Sequence, residues 1–187
     1  MSTGTEMLGA GRDERPAMVR VWDPLVRLFH WSLVGLVAFA YFTGDEWKDA
    51  HIVAGYIVGG LVVFRILWGL VGSKNARFAS FIRGPSATLG YLRSALAFRA
   101  PRYLGHNPAG AAMIVALLVA IATIATTGYM MTTDTFWGVE WVEEVHGTTV
   151  YVALGLIALH VGGVVLASIE HRENLVRAMI TGLKRTN

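Results

Sequence analysis

The chain holds six histidines and no cysteine, and two of the histidines, His146 and His160, sit in an apolar run that otherwise reads as lipid-facing. Fourteen residues at roughly 100° each return to within about 40° of the starting direction, so on a helix the two imidazoles share one face. At about 1.5 Å per residue they would stand roughly 21 Å apart, too far to grip one ion together. Each therefore needs its own partner. His30, His51, His106 and His171 are the other imidazoles available. The absence of cysteine excludes disulfides, cysteine-ligated iron–sulfur clusters and the C-x-x-C-H attachment of a c-type haem. A cofactor here must be held non-covalently, by histidine, methionine or carboxylate.

The elements that position these residues follow from composition. Of 187 residues, 54% are hydrophobic and 16% charged, which is a membrane-protein balance. Four apolar runs reach spanning length: Leu25 to Thr43, Ile52 to Val71, Ala109 to Met131, and Val145 to Ile169. Pro24 and Gly44 suit the start and end of the first. The first twenty residues are polar and Gly-rich without an apolar signal core, and predict a loose cytoplasmic tail over 1–20. Residues 172–187 predict a cytoplasmic amphipathic tail, leaving 21–171 as the membrane domain.

Charge sets the orientation. The connection from Gly72 to Pro108 carries Lys74, Arg77, Arg83, Arg93, Arg99 and Arg102 with no acidic residue. The turn after the first span nets −2, and Thr132 to Glu144 nets −4. The positive-inside rule then places both termini and the long connection in the cytoplasm. Within that connection, PSATLGYLRSALAF has helical apolar spacing and predicts a helix along the membrane surface. The net charge of +3 reflects topology and contact with anionic lipid, not nucleic-acid binding.

With this orientation His30 lies a few residues inside the cytoplasmic edge of the first span, and His160 reaches a similar depth in the fourth. His51 and His146 open the second and fourth spans on the periplasmic side. Depth thus pairs His30 with His160 and His51 with His146, each pair able to face a flat cofactor from both sides. A lone membrane histidine can also simply hydrogen-bond a neighbouring helix; two depth-matched pairs favour the cofactor. His106 and His171 fall at the cytoplasmic interface, where structural roles suffice, and Met130 and Met131 suit span-end packing better than ligation. Arg65 follows His51 by fourteen residues, shares its face and reaches the level of His30 and His160. A charge there calls for an anion such as a haem propionate, or else for snorkelling to the headgroups. Gly35, Gly55, Gly59, Gly155, Gly162 and Gly163 would allow close approach of helices or of a flat ring.

The combination of VWDPLVRLFHW, HIVAGY with Arg65 beyond it, GHNPAGA and HGTTVYVALGLIALH resembles the bacterial cytochrome b561 family, the group that includes the b-type subunits of nickel–iron hydrogenases. The resemblance runs from Val21 to Leu183. It implies an all-α, integral membrane four-helix bundle binding two b-type haems, with His30 and His160 ligating the cytoplasmic-side haem and His51 and His146 the periplasmic one. It also implies electron exchange between quinone and a redox partner in a respiratory chain. A second activity that the resemblance brings is oxidation of superoxide with quinone reduction. The acidic periplasmic side would repel that anion and attract a basic, cytochrome c-like protein, so electron transfer to a protein, or to a dehydrogenase or hydrogenase subunit, is the first expectation. Spacing alone reveals no quinone pocket; His106, Asn107 and His171 are the polar candidates near the cytoplasmic haem. A homodimer stays open.

Overall fold

The computed structural model describes residues 17–186, so most of the polar tail expected over 1–20 lies outside the described residues. The described chain runs β1 (Met18–Arg20), α1 (Pro24–Thr43), α2 (Lys48–Val71), α3 (Phe78–Phe81), α4 (Pro85–Leu96), α5 (Pro108–Met130), α6 (Glu140–Glu170), α7 (Leu175–Thr181) and β2 (Leu183–Arg185). Helices α1, α2, α5 and α6 are each long and apolar enough to cross a membrane.

Local chemistry explains the boundaries. Asp23 caps α1, its carboxylate accepting from the Val26 N–H at 2.9 Å, and Pro24 occupies the first turn where no donor is needed. Asn107 and Pro108 repeat the device at α5, with the Gly110 N–H donating to Asn107 at 2.7 Å. The fourth span is longer than its apolar run. Glu140 and Glu143 fall in the first turn of α6, where carboxylates complement the helix dipole, and extend it beyond the lipid-compatible residues. Its 31 residues make a rod of about 46 Å, against roughly 30 Å of hydrocarbon.

The spans pack in an arc: α1 on α2, α2 on α5, and α5 on α6. Val58 and Val62 of α2 meet Ile121 of α5, with Leu33, Leu36 and Val37 of α1 against them. Helix α6 leans on α5 and makes at most isolated contacts with α1 and α2. Its histidine-bearing length is therefore set apart from the two helices that carry His30 and His51. In the long connection, α4 turns Tyr91 inward and leaves Leu89, Leu92 and Leu96 exposed at helical spacing, as its amphipathic pattern predicts.

The ends of the described chain are joined, which the sequence did not suggest. Residues 18–20, expected within a loose tail, form β1 and pair antiparallel with β2, Val19 opposite Lys184. Beneath them the buried Glu173 carboxylate meets Arg102 at 3.1 Å and Lys184 at 3.5 Å, and accepts from the Arg185 N–H at 3.1 Å. Burial opposes ionisation of Glu173, but Lys184, the Arg185 N–H and Arg102 together outweigh it and hold the carboxyl below its usual range. Glu173→Gln should therefore destabilise the protein by about 3 kcal/mol, because it strands two partly buried cations. Thermal unfolding in detergent would measure this. The wild-type contribution is fully present above the unfolded carboxyl pKa of about 4.3 and is lost as pH falls through the lower folded value.

Candidate functional site

His51, in the first turns of α2, and His146, near the start of α6, face one another with ring centroids 6.2 Å apart. His30 of α1 and His160 of α6 do the same at 6.5 Å, nearer the end where β1 and β2 pair. Both distances are too long for an imidazole–imidazole hydrogen bond or a stack. They suit one metal centre between two ring nitrogens: two bonds of about 2.0 Å, plus about 1.1 Å from nitrogen to centroid on each side, give about 6.2 Å. Among the described residues no third histidine or carboxylate joins either pair to complete a protein-only metal site. A cofactor that brings its own in-plane donors fits; a bare ion does not.

The first pair is also fixed in the tautomer such a role requires. His51 Nδ1 donates to the Ala40 carbonyl at 2.8 Å, and His146 Nδ1 donates to the Ile124 carbonyl at 3.0 Å, with the Thr127 hydroxyl alongside at 3.1 Å. A carbonyl can only accept, so Nδ1 carries the proton in each ring and Nε2 keeps its lone pair. Such hydrogen bonds orient ligating imidazoles and raise their basicity. Gly128 makes the second of them possible. A Cβ there would come within 3.2 Å of His146 Cε1. The second pair differs, since His30 Nδ1 is buried without a hydrogen-bond partner.

Arg65 is 3% exposed, and its guanidinium lies over the Phe78 ring at 4.7 Å. One of its terminal nitrogens is buried without a partner, and no carboxylate pairs with it among the described residues. Phe78 occupies the space left by Gly69, where a Cβ would fall 2.1 Å from the ring. Of the other polar candidates, His106 packs between Trp22 and Phe81 at centroid distances of 4.5 and 4.4 Å. Asn107 is engaged in capping, and His171 closes α6. Of the six glycines, only on Gly59 would a Cβ meet another helix, 3.7 Å from Ala125, whereas a Cβ on the others would meet nothing within 4 Å.

Sequence reasoning missed the carbonyls of Ala40 and Ile124, which have no side-chain signature, and missed Phe78. Thr127 and Gly128 offered a signal, a polar and a small residue side by side in an apolar run.

A family model of prokaryotic cytochrome b561 matches residues 21–182, most of the chain and both histidine pairs. The chain belongs to this family. Membership makes it a relative of the hydrogenase cytochrome subunits and implies a b-type haem and membrane electron transfer. The chain is 23% identical to a probable Ni/Fe-hydrogenase B-type cytochrome subunit of Azotobacter vinelandii, covering 93% of this chain and 91% of that protein. It is 20% identical to the protein of the same description from Rhizobium leguminosarum bv. viciae, covering 88% and 87% respectively. No solved structure matches this cytochrome b561 chain.

Proposed function

We propose that this cytochrome b561 holds two haems b in the membrane, one between His51 and His146 and one between His30 and His160, and passes electrons between the quinone pool and a protein partner. The observation that carries the reading is the pair of facing imidazole couples, stacked along α6 fourteen residues apart on its own face. When bound, the haem supplies a reversible one-electron couple. The chain would hold each haem with two imidazoles, and the group so held would supply electron transfer rather than oxygen chemistry. The carbonyls of Ala40 and Ile124 hold the first pair's lone pairs toward the gap, and α6 stands off from α1 and α2 to leave width for a flat group.

Orientation follows from the basic connection: both termini, Arg65 and the His30/His160 pair lie toward the cytoplasm, and the His51/His146 pair toward the periplasm. The relatives' names point to a redox enzyme, a hydrogenase or dehydrogenase, as one class of partner. The periplasmic surface favours a basic cytochrome c-like protein, because the acidic turns are neighbours: Lys48 lies over Trp137 at 4.8 Å and ties the α1–α2 turn to the segment before α6. The same negative surface weighs against superoxide oxidation, which stays the second reading. The test is optical. Quinol added to purified protein should reduce b-type absorbance, and a basic cytochrome c should reoxidise it; haem that a quinol leaves oxidised would refute the quinone half.

Arg65, enclosed and with an unpaired N–H, would hold a propionate of the His30/His160 haem. Arg65→Leu should then lower one midpoint potential, since the cation favours the less positive reduced centre. An interaction of about 1–2 kcal/mol, expected at an effective dielectric of about 20 over about 8–16 Å, corresponds to several tens of millivolts for one electron. The other centre, roughly 20 Å away along α2, should hardly move. A redox titration reads both.

A further inference from the structure

The two carbonyls that hold the first imidazole pair occupy equivalent places in α1 and α5. Ala40 is followed three and four residues on by Thr43 and Gly44, and Ile124 by Thr127 and Gly128. Both threonines are buried, and each turns its hydroxyl back on its own helix: Thr43 Oγ1 donates to the Phe39 carbonyl at 2.8 Å, and Thr127 Oγ1 to the Thr123 carbonyl at 2.7 Å. Such back-bonding satisfies a hydroxyl inside an apolar helix. The likeness stops at the rings. The Thr43 hydroxyl hydrogen-bonds only carbonyls of α1, whereas Thr127 Oγ1 also stands 3.1 Å from His146 Nδ1.

Proton count sets the direction of that contact. A hydroxyl has one proton and two lone pairs. The Thr127 proton is spent on α5, toward Thr123 and, at 3.2 Å, Ile124, so what faces the ring is a lone pair. His146 Nδ1 carries its own proton, because the Ile124 carbonyl 3.0 Å away can only accept. One N–H is thus shared between two acceptors. We propose that Thr127 is a positioning residue, its hydroxyl oxygen the second acceptor for the His146 Nδ1–H, which fixes the rotation of the ring and raises electron donation from Nε2. The proposal rests on the haem reading above, in which His146 is an axial ligand.

The surroundings of the ring agree. Gly128 keeps the spot open, since a Cβ there would fall 3.5 Å from Nδ1 itself. The arrangement is not shared by the other imidazoles with a described Nδ1 environment: His51 Nδ1 donates to the Ala40 carbonyl only, and His30 Nδ1 is buried with no partner. An oxygen aimed at Nδ1–H draws the proton toward itself and pushes electron density to Nε2, and a stronger donor favours the oxidised, more positive centre. The hydroxyl dipole acts in the same sense, because its proton is turned away toward Thr123. Thr127 would therefore lower the midpoint potential of the haem between His51 and His146.

The experiment is a redox titration of the full chain, purified with its haems, as wild type and as Thr127→Val. Valine keeps the branched shape and removes the oxygen, while the Ile124 carbonyl still takes the Nδ1–H, so no donor is left unpaired. One of the two components should shift upward by about three- to tenfold in its reduction equilibrium, about 30–60 mV at 59 mV per decade for one electron. The other should stay. Thr127→Ser, which keeps the hydroxyl, should restore the wild-type midpoint. Thr43→Val controls for a merely structural role: it removes the same back-bond from α1 but no acceptor from a histidine, so it should leave both midpoints in place while costing similar thermal stability. If Thr127→Val sheds haem, Thr127→Ala, which removes the same oxygen with less bulk, decides. Haem lost from both would mark a structural residue and overturn the proposal. Unmoved midpoints in a Thr127→Val protein that keeps both haems, or an equal shift from Thr43→Val, would overturn it too and leave the haem reading standing. A wild type that purifies without haem at His146 would remove both.

Discussion

Replacing His146 with alanine is expected to yield a folded protein that keeps only one of the two proposed haems b. The geometry behind this is the facing of His146 and His51 at 6.2 Å, with each Nδ1 committed to a backbone carbonyl. Removing either imidazole would leave that haem with one protein ligand, so His51→Ala should lose the same haem. His30→Ala and His160→Ala should lose the other. The effects should be non-additive within a pair and complete across pairs. A His51/His146 double variant would retain one haem, as each single variant does, while a His30/His146 double variant would retain none. The pyridine haemochrome assay counts haem per chain, and low-temperature spectra show which band is missing. The competing view is that each histidine merely ties two helices together. His146 does reach α5 through the Ile124 carbonyl, so its loss on that view would lower thermal stability and leave the haem count untouched. Unchanged stoichiometry in all four single variants would end the paired-ligand reading.

The placing of these histidines was legible because helical periodicity and a fixed bilayer thickness together turn sequence position into depth and face. Two coordinates per residue suffice to pair His30 with His160 and His51 with His146, and the structure brings those rings together. The span boundaries were legible to within a few residues wherever a cap or a proline marked them, as at Asp23–Pro24 and Asn107–Pro108. The start of α6 was not, because the criterion counts apolar residues, and Glu140 and Glu143 extend a helix for an electrostatic reason that hydropathy scores against. The β1–β2 pairing was illegible for a different reason. Three-residue strands carry no periodicity, and their partners lie more than 160 positions apart. Phe78 illustrates the same limit inside the site. Nothing near it in sequence announces that Gly69 would open a slot for its ring, or that Arg65 would rest upon it. The buried ion group around Glu173 likewise joins residues 102, 173 and 184, and only the fold brings them together.

Charge reversal on the acidic face, proposed to be periplasmic, is expected to slow electron exchange with a basic cytochrome c by ten- to a hundredfold at low salt. Asp45, Glu46 and Asp49 lie in or beside the α1–α2 turn, and Asp134, Glu140, Glu143 and Glu144 in the segment that opens α6. With Lys48 counted, the two groups net −2 and −4. Both stand beside the His51/His146 pair, and the Tyr56 hydroxyl of α2, within 2.9 Å of Thr132 Oγ1, ties α2 to the segment before α6. Exposed Trp47, Trp137 and Trp141 lie among the carboxylates and offer apolar contact once a partner has arrived. Reversing Glu140, Glu143 and Glu144 to lysine adds two charges at each position and takes the face from −6 to neutral. Steering raises association from about 10⁵–10⁶ to as much as about 10⁸–10⁹ M⁻¹s⁻¹, so its loss alone can account for the expected slowing. The wild type should lose the same advantage as salt shortens the screening length from about 30 Å to about 8 Å, whereas the reversed variant should respond little. Reduction of the haems by quinol should be unaffected in both, because nothing in the change touches the termini end. The variant also separates the two candidate activities. Without the repelling field, superoxide should react faster with the reversed protein, while cytochrome c should react more slowly. Cytochrome c kinetics indifferent to salt and to reversal, in a wild type that consumes superoxide rapidly, would invert the order of the two functions.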